Sequence, residues 1–62
     1  MMTAKRLEYE IIETKRRINV NLRRLKTMKE RGLSEGMIQT IEEELIRLAG
    51  RKEALIQIYT TA

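Results

Sequence analysis

The stretch "KERGLSEGM", residues 29–37, holds two of the three glycines of a chain that has no proline. Gly32 suits the left-handed residue just past a helix end, because it lacks the Cβ that would clash there. Leu33 follows it and is placed to pack back on Met28, as in a Schellman motif. Lys29 and Arg31 favour a helix C-terminus electrostatically. Ser34 is a good N-cap, and Glu35 a good first-turn residue. The stretch therefore ends one helix and opens another. A connection this short places the two helices antiparallel.

The segments on either side carry apolar residues at helical spacing. Before the turn, Ala4, Leu7, Ile11, Ile18, Leu22 and Leu25 share one stripe, with Met28 at its edge. After it, the stripe is Met37, Ile38, Ile41, Leu45, Leu48, Ala49, Leu55, Ile56 and Tyr59. Both segments are rich in Glu, Lys, Arg and Leu, which are good helix formers. In an antiparallel hairpin, facing residues have a roughly constant number sum. Met28 with Ile38, Leu25 with Ile41, Ile18 with Leu48, Ile11 with Leu55 and Leu7 with Tyr59 all give 66, and Leu22 with Leu45 gives 67. Thr14 and Lys52 also give 66, so that layer reads as a polar break in the seam. Such a break sets register at some cost in stability, unless Lys52 simply extends its head to solvent. The expected fold is all-α: one antiparallel, coiled-coil-like two-helix hairpin over residues 1–62, with a helix over 3–31, a turn over 32–35 and a helix over 36–60. Its core is expected to be completed on a partner or by homo-oligomerisation.

Composition supports that last expectation. A chain of 62 residues is one domain at most, and domains so small are marginal alone. The usual staples are disulfides, a metal or a partner chain. The sequence has no Cys and no His, which leaves the partner chain. The same absences remove the commonest general base and the strongest nucleophile. All nine acidic residues are Glu, and none lies in a recognisable metal loop. The expectation is a protein that is not an enzyme and uses no cofactor or metal. No apolar run approaches the roughly 20 residues of a membrane span, and "MMTAKRLEYE" has no apolar signal-peptide core. The expected location is cytoplasmic, with no membrane partner.

Outside the main stripes lie further apolar residues: Tyr9, Ile12 and Val20 on helix one, and Ile46, Ala54 and Ile58 on helix two. So many on a hairpin with little core point to contact with another protein. The expected partner-binding residues are Tyr9, Ile12, Val20, Ile46, Ile58 and Tyr59. Tyr9 is the leading anchor, since Tyr is over-represented among interface hot spots. Gly50 falls within helix two, away from its stripe, either as a tolerated defect or as a point of close backbone approach.

Charge is uneven. The formal net charge is +4, with ten basic and four acidic residues from Thr3 to Arg31, against three basic and five acidic from Glu35 to Ala62. By the pairing sum, "RRLK" (23–26) lies near "EEE" (42–44), so much of the basic excess is expected to face acidic residues across the seam. Exposed pairs of this kind contribute about 0–1 kcal/mol each.

The stretches "MTAKRLE" at the start, "LKTMKERG" closing helix one and "EALIQIY" near the end give the chain a layout that resembles the YscE/PscE/EscE family of type III secretion proteins. That resemblance implies an antiparallel two-helix hairpin acting as a cytoplasmic co-chaperone in a virulence-associated secretion system. It implies as partners a helical-repeat chaperone and the needle subunit, held unpolymerised before export. It implies no catalytic residues.

Two other readings are weighed beside it. One is a Rop-like homodimer of hairpins that binds RNA or DNA through phosphates. Lys15, Arg16, Arg17, Arg23, Arg24, Lys26, Lys29 and Arg31 supply charge for it, but they are spread around helix one, and Tyr9 is that helix's only aromatic residue. The other is a small regulatory hairpin like the sporulation phosphatases, which "GLS" at 32–34 resembles. That family carries Ser-Gln-x-Leu-Asp in helix two, where this chain reads "TIEEEL" and contains no Asp at all.

Overall fold

The computed structural model describes residues 3–61. It consists of α1 (Ala4–Glu30) and α2 (Glu35–Thr61), 27 residues each, packed against one another as an antiparallel hairpin. Among the described residues there is no strand. The molecule is a rod of 44 × 15 × 14 Å.

Both helix starts are capped by a side chain. Thr3 Oγ1 accepts from the Arg6 amide at 3.2 Å, and the Thr3 carbonyl takes the Leu7 amide at 2.9 Å. Ser34 does the same for α2: its Oγ accepts from the Met37 amide at 3.4 Å and its carbonyl from Ile38 at 3.2 Å. Each cap satisfies donors that a helix N-terminus leaves free. The cap also explains why α2 begins at Glu35, one residue before the sequence-based start at 36.

The end of α1 is a Schellman turn. Gly32 has φ +66°, its amide donates to the Lys29 carbonyl at 3.2 Å, and the Leu33 amide donates to the Met28 carbonyl at 3.1 Å. Arg31 is the C-cap and Glu30 the last helical residue. Nothing lies within 4 Å of where a Cβ on Gly32 would sit. Gly32→Ala is therefore costly only through its backbone angle, and is expected to lower stability by about 1 kcal/mol. Gly50 is a contrasting case. It too has open space around its Cβ position, but at an ordinary helical φ. No backbone approaches it, so Gly50→Ala is expected to raise stability by about 1 kcal/mol. Thermal melts of the two variants should move in opposite directions, and shifts of the same sign would contradict this assignment.

The seam has a stricter period than the stripes. Leu7, Ile11, Thr14, Ile18, Asn21, Leu25 and Met28 are the inward positions of α1, and Ile38, Ile41, Leu45, Leu48, Lys52 and Leu55 those of α2. The spacing alternates between three and four residues throughout, which is the heptad rhythm of two helices in knobs-into-holes contact. This corrects one layer of the sequence reading. Leu45 faces Asn21, which restores the sum of 66, while Leu22 is 50 % exposed. Asn21 is half-buried in its place. Met37, Ala4 and Ala49, assigned to the stripes, are likewise exposed.

Thr14 is 3 % exposed, and its hydroxyl donates to the Glu10 carbonyl of the same helix at 2.7 Å. The polar layer is thus internally satisfied, with Lys52 half-buried opposite it. Among the described residues the buried apolar side chains are Leu7, Met28, Leu48 and Leu55. Four are few for a chain of this length, and the remaining apolar seam residues are only half-covered.

Candidate functional site

The seam divides the outside of the hairpin into two flanks that differ in chemistry. The arrangement follows from the heptad rhythm: in an antiparallel pair, residues one step past the seam on one helix meet their counterparts on the other. Two contacts mark the flanks. On one, Arg51 of α2 donates to Glu10 of α1 at 3.1 Å. On the other, Tyr59 Oη donates to the Glu8 carboxylate at 2.6 Å.

The Glu8–Tyr59 flank is apolar between its charges. Ile12 (64 % exposed) and Ile46 (74 % exposed) lie along it, with half-buried Ile56 and exposed Leu22 and Ala49. A groove of about 380 Å³ opens between the helices here, lined by Glu8, Ile11, Ile12, Lys15, Ile56 and Tyr59. Apart from Glu8, which Tyr59 engages near the open end, its charges fall by helix. The α1 edge carries Lys15, Lys26 and Lys29, and the α2 edge carries Glu42 and Glu53. Helical geometry places all five on this flank.

The Glu10–Arg51 flank is rich in guanidinium groups. Glu10 is held by Arg6 at 3.1 Å as well as by Arg51. Glu13 takes Arg16, with Arg17 at 4.0 Å, and Glu44 takes Arg47. The hydrogen bond from Arg16 holds the Glu13 carboxyl below its ordinary value, and that from Arg47 does the same for Glu44. Among the described residues, no ion pair joins "RRLK" to "EEE", contrary to the sequence expectation. Glu44 turns along its own helix to Arg47, because partners three residues apart on a helix already face one another.

The six residues expected to meet a partner are all exposed, but they do not form one patch. Ile12, Ile46 and Tyr59 share the apolar flank. Val20 and Ile58 belong to the arginine flank; Val20 lines a groove there with Arg16, Arg17 and Arg24. Tyr9 sits on the back of α1, its ring beneath Arg6 with the guanidinium 5.6 Å from the centroid. Residues one turn apart on a helix wheel look contiguous, yet fall on opposite sides once a second helix is laid along the seam. Leu22 and Ile56 were missed as flank residues because their hydrophobicity placed them inside. Their spacing from Ile18 and Leu55, one step off the heptad, is the signal that finds them.

Among the described residues, no group of three or more acidic, His or Cys side chains is placed to hold a metal ion. No described helix is long and apolar enough to cross a membrane.

The Tyr59–Glu8 bond makes a pH-dependent link between the helix ends. The bond to Glu8 raises the Tyr59 phenol above its ordinary value, with the carboxylate's charge and burial acting the same way. A group raised on folding adds stability that is present below its unfolded value and lost as pH rises through the folded one. Above about pH 10 the wild type should therefore lose melting temperature faster than Tyr59→Phe. Parallel alkaline losses in the two proteins would show that the bond is absent in solution.

No known protein family, curated protein or solved structure matches this chain.

Proposed function

We propose that this chain is a non-catalytic binding module whose apolar flank completes its core against helices of another polypeptide. The observation that carries the reading is the run of exposed Ile12, Leu22 and Ile46 with half-buried Ile56, beside a seam with four buried apolar side chains among the described residues. An amphipathic helix laid into the groove at Ile12 and Ile56 meets apolar anchors at helical spacing, as in helix-in-groove recognition.

The concrete form is the one that the type III secretion resemblance implies: a co-chaperone bound to a helical-repeat chaperone that guards a needle subunit. Its support is the resemblance itself together with the two-helix hairpin, which is the architecture such a subunit requires. A tagged chain purified from its native host tests it. The expected result is a near-stoichiometric helical-repeat protein carried by the wild type and lost from an Ile12→Glu/Ile46→Glu variant of unchanged helicity. Retention of the same partner by that variant would overturn the assignment of the flank.

A second occupant is favoured by a specific observation. Lys15, Lys26 and Lys29 on α1 and Glu42 and Glu53 on α2 are complementary when two copies face each other, so that α1 of each meets α2 of the other, with Glu8 already engaged by Tyr59. That is the self-complementarity a two-fold dimer needs. A four-helix bundle of two hairpins results. Sedimentation of the isolated chain separates the two forms: a dimer dispersed by the Ile12/Ile46 variant supports the second copy, and a monomer supports the hetero-partner.

A further inference from the structure

The arginines and the lysines of this protein are on different sides. All eight arginines (6, 16, 17, 23, 24, 31, 47 and 51) occupy the Glu10–Arg51 flank or the adjoining back of the helices. The five lysines (5, 15, 26, 29 and 52) occupy the other flank or the seam. Taken together as basic residues they look scattered around α1; separated by type they are not.

The two ends of the arginine flank also differ. Toward the open end of the hairpin, Arg6, Arg16, Arg47 and Arg51 are engaged with Glu10, Glu13 and Glu44. Toward the turn, Arg23, Arg24 and Arg31 join no ion pair within 4 Å among the described residues. These three line one groove of about 390 Å³ with Val20, Thr27 and Leu33. A second groove of about 220 Å³ shares Val20 and Arg24 with it and brings in Arg16 and Arg17, with Glu44 of α2, already engaged by Arg47, on its far wall. The two grooves adjoin at Val20 and Arg24 and form a trough on the α1 side of the flank. Arg17, Arg24 and Arg31 recur every seven residues along it, so they stand about 10.5 Å apart at a rise of about 1.5 Å per residue.

We infer that this trough binds the phosphate backbone of double-stranded nucleic acid, with Arg23, Arg24 and Arg31 as its main contacts. Guanidinium matches phosphate through two parallel N–H donors, which an ammonium lacks, so a surface that concentrates arginine and excludes lysine fits phosphate groups rather than solvation alone. The groups nearest the turn have no carboxylate to give up before binding. A regular row of cations suits a regular row of anions. No aromatic side chain lies in the trough, so single strands find no stacking platform there and the rigid phosphate ridges of a duplex are the better fit. Val20 and Leu33 adjoin the arginines, so an anionic lipid surface is the competing occupant, and the vesicle arm of the test separates it from a duplex. This surface is separate from the apolar flank and does not depend on which polypeptide covers that flank.

The test is fluorescence anisotropy of labelled 24-base-pair DNA and RNA duplexes with the full chain between 50 and 200 mM salt. The expected result is binding that weakens about 40-fold over that range, the loss for three released counterions at a log–log slope of about −2.7. An Arg23→Gln/Arg24→Gln/Arg31→Gln variant of unchanged helicity should bind at least about tenfold more weakly at 50 mM salt, with a flatter slope. A Lys15→Gln/Lys26→Gln/Lys29→Gln variant should bind as the wild type does. Preference for the RNA or the DNA duplex identifies the source of the backbone, and either supports the inference. Three outcomes overturn it: no duplex binding at 50 mM salt; equal loss in the lysine and arginine variants, which means unspecific charge only; or arginine-dependent binding to phosphatidylserine vesicles in the absence of duplex binding.

Discussion

Leu48→Asp should abolish the hairpin, whereas Leu22→Asp should leave it folded. Leu48 is 1 % exposed at the middle of the seam, between layers that contain Asn21 and Thr14. A carboxylate there loses the packing of a buried leucine, about 2–5 kcal/mol for truncation alone, and adds an unpaired charge in a dry position. Small domains rarely hold more stability than that. Far-ultraviolet circular dichroism should show most of the helical signal lost at 25 °C. Leu22 is half exposed on the flank, and its replacement changes helix stability by a few tenths of a kcal/mol, the usual cost at such a position. Equal damage from the two substitutions would mean that Leu22, not Asn21, faces Leu45, and that the seam is out by one residue.

The second large effect concerns association. Replacing Ile12 and Ile46 together by Glu should weaken binding of the covering polypeptide by about 10³-fold, taking about 2 kcal/mol for each central apolar anchor. Helicity should be unchanged, since both side chains are mostly exposed in the hairpin. The paired change Tyr9→Glu/Val20→Glu serves as the control. These residues lie on the back of α1 and on the arginine flank, so the same binding should fall much less. If the control abolishes association and the Ile12/Ile46 variant does not, the docking surface is the back of α1 and the apolar flank is merely tolerated exposure.

The turn and the pairing were legible in the sequence because each rests on strong local chemistry. Gly32 and Ser34 punctuate the chain in one way only, and the constant sum of 66 follows from antiparallel geometry. The Leu22 layer was misplaced for a physical reason. Counting hydrophobicity favours the leucine over its polar neighbour, whereas the 3.5-residue rhythm of a two-helix seam favours Asn21. The expected ion pairs across the seam failed on a different ground. Glu44 finds Arg47 three residues away on its own helix, where less side-chain entropy is lost than in reaching across. The division of the outer residues into two flanks needed the second helix in place. The separation of arginine from lysine was present in the spacing all along, but hidden by counting the two as one class.

Melting of the isolated chain over a wide concentration range, followed by circular dichroism and paired with sedimentation, shows whether the hairpin's own seam is incomplete and is finished by another chain on the Ile12–Ile46–Ile56 side. The predicted result is either a midpoint that rises with concentration as copies associate, or a monomer that melts low at every concentration and is raised by a partner. A monomer with a high midpoint, unchanged from micromolar to millimolar concentration, would contradict it.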